Sequence, residues 1–284
     1  MIKLALSDLD NTLLPFGFDR VTKRTVRALC SCQDQGVAVG PASGRDLSGI
    51  ANFFDNNERC YHTGVLVNGQ RVYHQGSLIF ETNLDQQALQ RAAQVVATHP
   101  GCAFIVYRED GFGDWVGEPR EKLSFMYERS FIAGGRQHDT LPTYPCAKAG
   151  IICMGDAEET RALQDELERA CPEFVCPCTV EHWLDISPRG WNKVDGIKVL
   201  MDTLGIGLDE VCVFGDADND LAMLEYIPNS CAVANANDNA KAAARWHIGA
   251  SAEDGVAIAL EQIAVAAEQN RVQGREDIMP AFMR

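Results

Sequence analysis

The chain has 284 residues, enough for a sizeable buried core in one or two domains, and its 46% hydrophobic and 23% charged residues give it the composition of a globular protein. Twenty-five basic residues against forty acidic ones leave a formal charge of −15. Nucleic acid and anionic membranes are bound through clustered Lys and Arg, so neither is an expected partner, whereas a small phosphorylated molecule can still be met by local positive charge in one pocket.

Met1 to Leu6 is apolar but gives way at once to acidic residues. It is too short for a signal peptide, and no apolar run is long enough to span a bilayer, so a cytoplasmic protein is expected. Lys3 to Ser7 reads as a short buried parallel strand. Thr22 to Gln35 carries Val26 and Leu29 at helical spacing and ends at Gly36, a C-terminal cap residue. Val37 to Val39 is a second strand, followed by Pro41-Ala42-Ser43-Gly44-Arg45 and a helix from Asp46 to Phe54. A third strand, Gly64 to Val67, runs into the turn Asn68-Gly69. Strand and helix in alternation are the pattern of a doubly wound sheet.

From about residue 80 the rhythm changes. A helix over Asp85 to Thr98 precedes strands at Phe104 to Arg108, Leu123 to Tyr127 and Ile151 to Met154. A helix from Glu158 to Ala170 and a strand from Phe174 to Cys176 follow. Pro188-Arg189-Gly190 reads as the return linker. The expected organisation is an α/β core of residues 1–80 and 188–284 with an α+β domain, 81–187, inserted in it. After the linker come a helix (Lys193 to Leu204), a strand (Glu210 to Phe214) and a helix (Leu221 to Glu225). A strand (Ser230 to Ala234), a helix (Asn239 to Arg245) and a closing helix (Gly255 to Glu268) complete the core, with a frayed tail after Asn270. The eleven cysteines lack disulfide or zinc spacing and read as small hydrophobes. No histidine falls in a motif; His182, beside Trp183, is the one nearest the linker.

Four motifs lie in the two outer segments. Asp8-Leu9-Asp10-Asn11-Thr12-Leu13 follows the first strand, where a parallel sheet opens its ligand crevice. Two neighbouring carboxylates repel unless a cation or a shared proton joins them, and Mg²⁺, which takes hard oxygen ligands and bridges phosphate, suits the pair. Ser43-Gly44-Arg45 offers a hydroxyl and a glycine amide at a helix start, an anion site or simply an N-cap. Lys193 begins the helix after the insert. Gly215-Asp216-Ala217-Asp218-Asn219-Asp220 crowds acids behind an apolar strand, a costly arrangement unless a metal sits among them. Each alone has an ordinary structural explanation, but together and in this order they do not.

With these motifs in this order, and with Asn68-Gly69, Ala232 to Ala236 and Glu253 to Ala257 in step, the chain resembles the haloacid dehalogenase superfamily over almost its whole length. Within it, the chain is most similar to the Cof-type phosphatases that carry a C2-type cap. Asn11 stands where that subgroup usually has glycine. The resemblance implies a Rossmann-like core with a cap over residues 81–187 that reads the leaving group. It implies a Mg²⁺-dependent phosphomonoester hydrolase acting on a small phosphorylated metabolite, a sugar phosphate foremost, through an aspartyl-phosphate. Asp8 is then the nucleophile and Asp10 the general acid and base. Mg²⁺ is held by Asp8, the Asp10 carbonyl and Asp216. Ser43, the Gly44 amide, Lys193 and Asn219 bind the phosphoryl group, and Asp220 orients metal-bound water or pairs with Lys193. Arg45 contacts substrate or anchors its helix. Phe112 to Trp115 lies near the substrate or packs as a hairpin on the cap's own core. A phosphomannomutase-like hexose-phosphate mutase and a sugar-phosphate sensor on the same fold are the alternatives. A metal-binding module using the acidic loop alone leaves Ser43 and Lys193 without a purpose. A monomer or loose homodimer is expected.

Overall fold

The apolar run at the start of the chain forms β1 (Leu4–Ser7), buried at all of its positions. The computed structural model describes residues 1–123 and 134–283. Thr22 caps α1 (Lys23–Asp34), which buries Thr25, Ala28, Leu29 and Cys32 along one stripe. β2 (Ala38–Pro41) then pairs parallel to β1. The helix expected over Asp46 to Phe54 is instead two 3₁₀ turns, Leu47–Gly49 and Ala51–Phe54, closed by Asp55 and Asn56 in the left-handed region. Ser48 and Gly49 are poor helix formers, and the Asp46 side chain ties the Leu47 amide locally (2.7 Å).

β3 (Gly64–Leu66), β4 (Arg71–His74) and β5 (Ser77–Glu81) form an antiparallel sheet beside β2. The β4–β5 hairpin was absent from the sequence reading. Its two-residue turn is Gln75-Gly76 with both φ values positive, a primed turn written without the usual Asn-Gly.

The described residues divide into two compact units, Met1–Glu81 with Asn192–Arg284, and Thr82–Trp191. The second unit contains α2 (Gln86–Val96), β6 (Cys102–Tyr107), β7 (Gly113–Gly117), β8 (Ala149–Cys153) and α3 (Ala157–Ala170). β9 (Phe174–Val175), β10 (Cys178–Val180) and β11 (Trp183–Pro188) complete it. Its sheet runs β10-β11-β8-β6-β7, with β9 beside β11, and its pairs are antiparallel. Leu89 and Val96 of α2 and Leu163 and Leu167 of α3 pack on Phe104, Val106, Ile151 and Leu184. Alternate residues, including Ile105, Tyr107, Trp115, Ile152 and Trp183, form a second cluster on the other face. Gly113 to Trp115 is therefore hairpin strand. The strand expected over Leu123 to Tyr127 falls, beyond Leu123, outside the described residues. His182, in the left-handed region, precedes β11, and Trp183 opens it, with the indole donating to Asp185 (2.7 Å).

The chain returns through α4 (Lys193–Leu204), β12 (Val211–Gly215), α5 (Leu221–Tyr226), β13 (Asn229–Val233), α6 (Asp238–Ala243), β14 (Trp246–Ile248) and α7 (Gly255–Gln273). The first unit's main sheet is wholly parallel in the order β14-β13-β12-β1-β2. The chain leaves β1 toward β2 on one side and re-enters at β12 on the other, so the topological switch point lies at β1. The tail is not frayed. After Gly274 it folds back, and the buried Asn270 side chain donates to the Ile278 carbonyl (2.8 Å) and accepts from the Ile278 amide (3.0 Å), with Met283 buried. All eleven cysteines are free, and Cys178 alone is exposed.

Candidate active site

Asp8 follows β1 and Asp216 follows β12. Because these strands are adjacent and parallel, both carboxylates emerge at the same end of the sheet. The Asp8 amide donates to the Phe214 carbonyl (2.9 Å), which fixes the turn out of the strand. Lys193 is the first residue of α4, whose start is set by a capping box: Asn192 accepts from the Val194 amide (2.8 Å) while Asp195 accepts from the Asn192 amide (3.0 Å). The Lys193 side chain is thereby turned inward, and the residue is 1% exposed.

Its Nζ donates to Asp8 Oδ1 at 2.6 Å and to Asp220 Oδ1 at 2.7 Å. Asp220, fully buried, uses its other oxygen to accept the Asp216 amide (3.0 Å). Thr12 Oγ1 and Asn11 Nδ2 hold the two oxygens of Asp216, at 2.5 and 3.0 Å. Ligand oxygens of Asp8, Asp216 and Asp220 all lie within 4.8 Å of one another. Three carboxylates and one ammonium, fully ionised, leave a net charge of −2 in a largely buried site. That deficit matches a divalent cation; both Asp220 oxygens are engaged by Lys193 and the Asp216 amide, and the Asp8 and Asp216 carboxylates offer the hard oxygen donors that magnesium takes.

The same deficit appears in the proton affinities. Burial, aided by Asp220 and Asp216 and opposed by Lys193, pushes Asp8 up to about 8. Burial also raises Asp216 against the hydrogen bonds from Thr12 and Asn11. For Lys193 burial acts downward, but Asp220 and Asp8 outweigh it and the ammonium is held above its ordinary range. Asp8 Oδ2 takes no hydrogen bond among the described residues, so one oxygen is anchored and the other is available.

Ser43 is buried at the end of β2; its amide donates to the Val65 carbonyl (2.9 Å), and its Oγ accepts from the Arg45 amide (3.2 Å). That leaves the hydroxyl hydrogen to donate elsewhere. Arg45 anchors no long helix. Its guanidinium pairs in a two-pronged fashion with Asp10 (Nε to Oδ2 2.7 Å, Nη2 to Oδ1 2.8 Å) and lies over the Phe53 ring, 4.9 Å from the centroid. The Asp10 carboxylate is thus engaged with Arg45, and Asp220 is the third acidic side chain of the cluster. Asn219 is exposed and makes no hydrogen bond to the cluster among the described residues. Its neighbour Asp218 accepts from Asn237 and Asn239, both at 3.0 Å.

Three supporting residues carried no role in the sequence reading. Thr12, inside the first motif, clamps Asp216. Asn235 donates to the Asn11 carbonyl (2.8 Å) and accepts from the Ser251 amide (2.8 Å), joining the loop after β13 to the first motif. Arg71, on the unread hairpin, bridges Asp46 and Glu81 beneath the Ser43–Asp46 loop. Position within a quoted motif was a signal for Thr12 and for Asn235, which lies in the Ala232–Ala236 stretch; Arg71 meets the site only through tertiary contacts. Asn11 has φ +63, where glycine is the usual choice and asparagine is tolerated, and its side chain adds the contact to Asp216 that glycine lacks.

The sequence profile of the haloacid dehalogenase-like hydrolases matches residues 5–260. A Haemophilus influenzae protein named "Putative phosphatase" is 27% identical over 268 residues, covering 92% of this chain and 98% of that protein. A Serratia proteamaculans protein named HMP-PP phosphatase is 28% identical over 245 residues, covering 83% and 85%. The crystal structure of a haloacid dehalogenase-like hydrolase from Bacteroides thetaiotaomicron superposes with a TM-score of 0.77 at 26% identity, covering 93% of this chain and all of the other.

Proposed function

The chain belongs to the haloacid dehalogenase-like hydrolases and is a phosphatase of that family, and from that premise we propose that it cleaves a small phosphorylated metabolite, a sugar phosphate foremost, through an aspartyl-phosphate on Asp8. The observation that carries this reading is the buried Lys193 bridge between Asp8 and Asp220, which leaves Asp8 Oδ2 open beside a site two positive charges short.

Asp8 Oδ2 attacks phosphorus opposite the leaving oxygen; the Oδ2–P bond forms as the P–O bond to the leaving group breaks, and Asp10 gives its proton to the departing alkoxide. Asp10 then takes a proton from water as that water attacks phosphorus. The P–Oδ2 bond breaks, orthophosphate leaves and Asp8 is restored. The Ser43 hydroxyl, the Gly44 amide, Asn219 and Lys193 hold the equatorial phosphoryl oxygens. Arg45 has a positional part: it keeps Asp10 beside the site, and it must release one oxygen for that oxygen to carry a proton. Magnesium held by Asp8, the Asp10 carbonyl and Asp216 would supply the missing positive charge and orient the phosphate. Residues 82–191 act as the cap that reads the leaving group. The formal charge of −15 and a relative named for HMP-PP both favour a small metabolite over a polynucleotide.

The test is phosphate release from p-nitrophenyl phosphate and a panel of sugar phosphates and HMP-PP. Assays would be run with Mg²⁺, with EDTA and with Asp8→Asn. Hydrolysis that needs Mg²⁺ and falls to background in the variant is expected. Unchanged hydrolysis by Asp8→Asn would sink the proposed nucleophile.

A further inference from the structure

Between the Ser43–Gly44 loop and the helix that carries Lys193 lies a turn whose role the mechanism above leaves open. The Asn68 amide donates to the Ser43 carbonyl and the Val67 amide to the Arg45 carbonyl, each at 3.1 Å, so the turn is laced to both sides of Gly44. A β-carbon added to Gly44 would stand 3.0 Å from Asn68 Oδ1 and 3.3 Å from Nδ2, so the carboxamide itself lies against that glycine. On the opposite flank, a β-carbon on Gly196 would stand 2.9 Å from the Gly69 Cα. Gly196 is in the first turn of α4, three residues beyond Lys193. Glycine at 196 is what lets the turn reach the start of that helix.

The turn is also strained. Val67 and Asn68 both have φ +50, and for a β-branched residue such as Val67 this is a true outlier. Left-handed non-glycine residues are strained and persist where the surroundings over-determine them, most often at functional sites. The Asn68 side chain is half-buried and makes no hydrogen bond among the described residues, although its neighbours are closely packed.

We propose that Asn68 is a phosphate-binding residue, its Nδ2 donating to the phosphoryl oxygen that sits against Ser43 and Gly44. This rests on the phosphatase reading in taking that loop as the phosphoryl site. Asn68→Gly keeps the left-handed turn, because glycine adopts positive φ freely, and removes only the amide. Asn68→Asp keeps the shape and sets a carboxylate against the phosphate. Orthophosphate titrated calorimetrically into the full chain with Mg²⁺ should bind about ten-fold more weakly to Asn68→Gly, the loss of one hydrogen bond to a charged group, and more weakly still to Asn68→Asp. Melting temperatures of both variants would verify the fold. Orthophosphate affinity unchanged in Asn68→Gly, or equal in the two variants, would overturn the assignment. Turnover of p-nitrophenyl phosphate by the unmodified chain answers separately for the phosphatase reading, since the phosphate titration judges Asn68 without any turnover.

Discussion

Asp8 has one oxygen tied to Lys193 and the other without a hydrogen bond among the described residues, in a site where burial pushes its carboxyl up to about 8. Because the folded value lies above the ordinary 3.8, this group contributes stability that is fully present below the unfolded value and is lost as pH rises through the folded one. A divalent cation reverses the preference, since it binds the carboxylate and not the acid. Without divalent cations, Asp8 should therefore lower the melting temperature as pH climbs toward alkaline values. The increment on adding Mg²⁺ should be larger at about pH 9 than at about pH 6, with protons released on binding at the lower pH. Paired melts with and without Mg²⁺ test this, and an increment independent of pH would contradict it. The raised Asp216 acts in the same direction.

The elements explain why these side chains meet. β1 and β12 are adjacent and parallel, so Asp8 and Asp216 share one end of the sheet, and the cap of α4 turns Lys193 between Asp8 and Asp220. Close approach of α4 to the turn after β3 depends on Gly196. Gly196→Ala would drive a methyl to 2.5 Å from Val65 and 2.9 Å from Gly69. We expect a stability loss of about 1–3 kcal/mol from overpacking, read by denaturant titration, together with lower kcat as Lys193 is displaced. Unchanged stability and kcat would show that the helix has room to shift. Strands and motif order were legible in the sequence because buried parallel strands are continuous apolar runs and each chemical motif is local. The Lys193–Asp220 pair had been foreseen as one of two roles for Asp220. The pairing of Arg45 with Asp10 and the hold of Asn235 on Asn11 were not legible, because each joins residues far apart in the chain. The β4–β5 hairpin was missed because Gln-Gly is a weak turn signal, and the tail because its order comes from Asn270 and from burial of Met283. The expected helix after Arg45 failed because local capping by Asp46 and its tie to Arg71 hold short 3₁₀ turns.

At the scale of the whole chain, an insertion with its own core interrupts a parallel sheet that carries the cluster of Asp8, Lys193, Asp216 and Asp220 within the first unit alone. Among the described residues no helix is long and apolar enough to cross a membrane. If residues 82–191 read the leaving group, replacing them by a short Gly-Ser linker should retain Mg²⁺-dependent hydrolysis of p-nitrophenyl phosphate within about ten-fold while flattening preferences across a sugar-phosphate panel. Selectivity that survives the deletion would place discrimination in the first unit. The central claim, a covalent phosphoryl group on Asp8, is tested most directly by acid-quenching Asp10→Asn during turnover and mapping the modification by peptide mass spectrometry. The account predicts that this variant, slowed in hydrolysing the intermediate, accumulates one phosphoryl group on Asp8, removable by hydroxylamine. Phosphate release with no label on Asp8, or label on another residue, would contradict it.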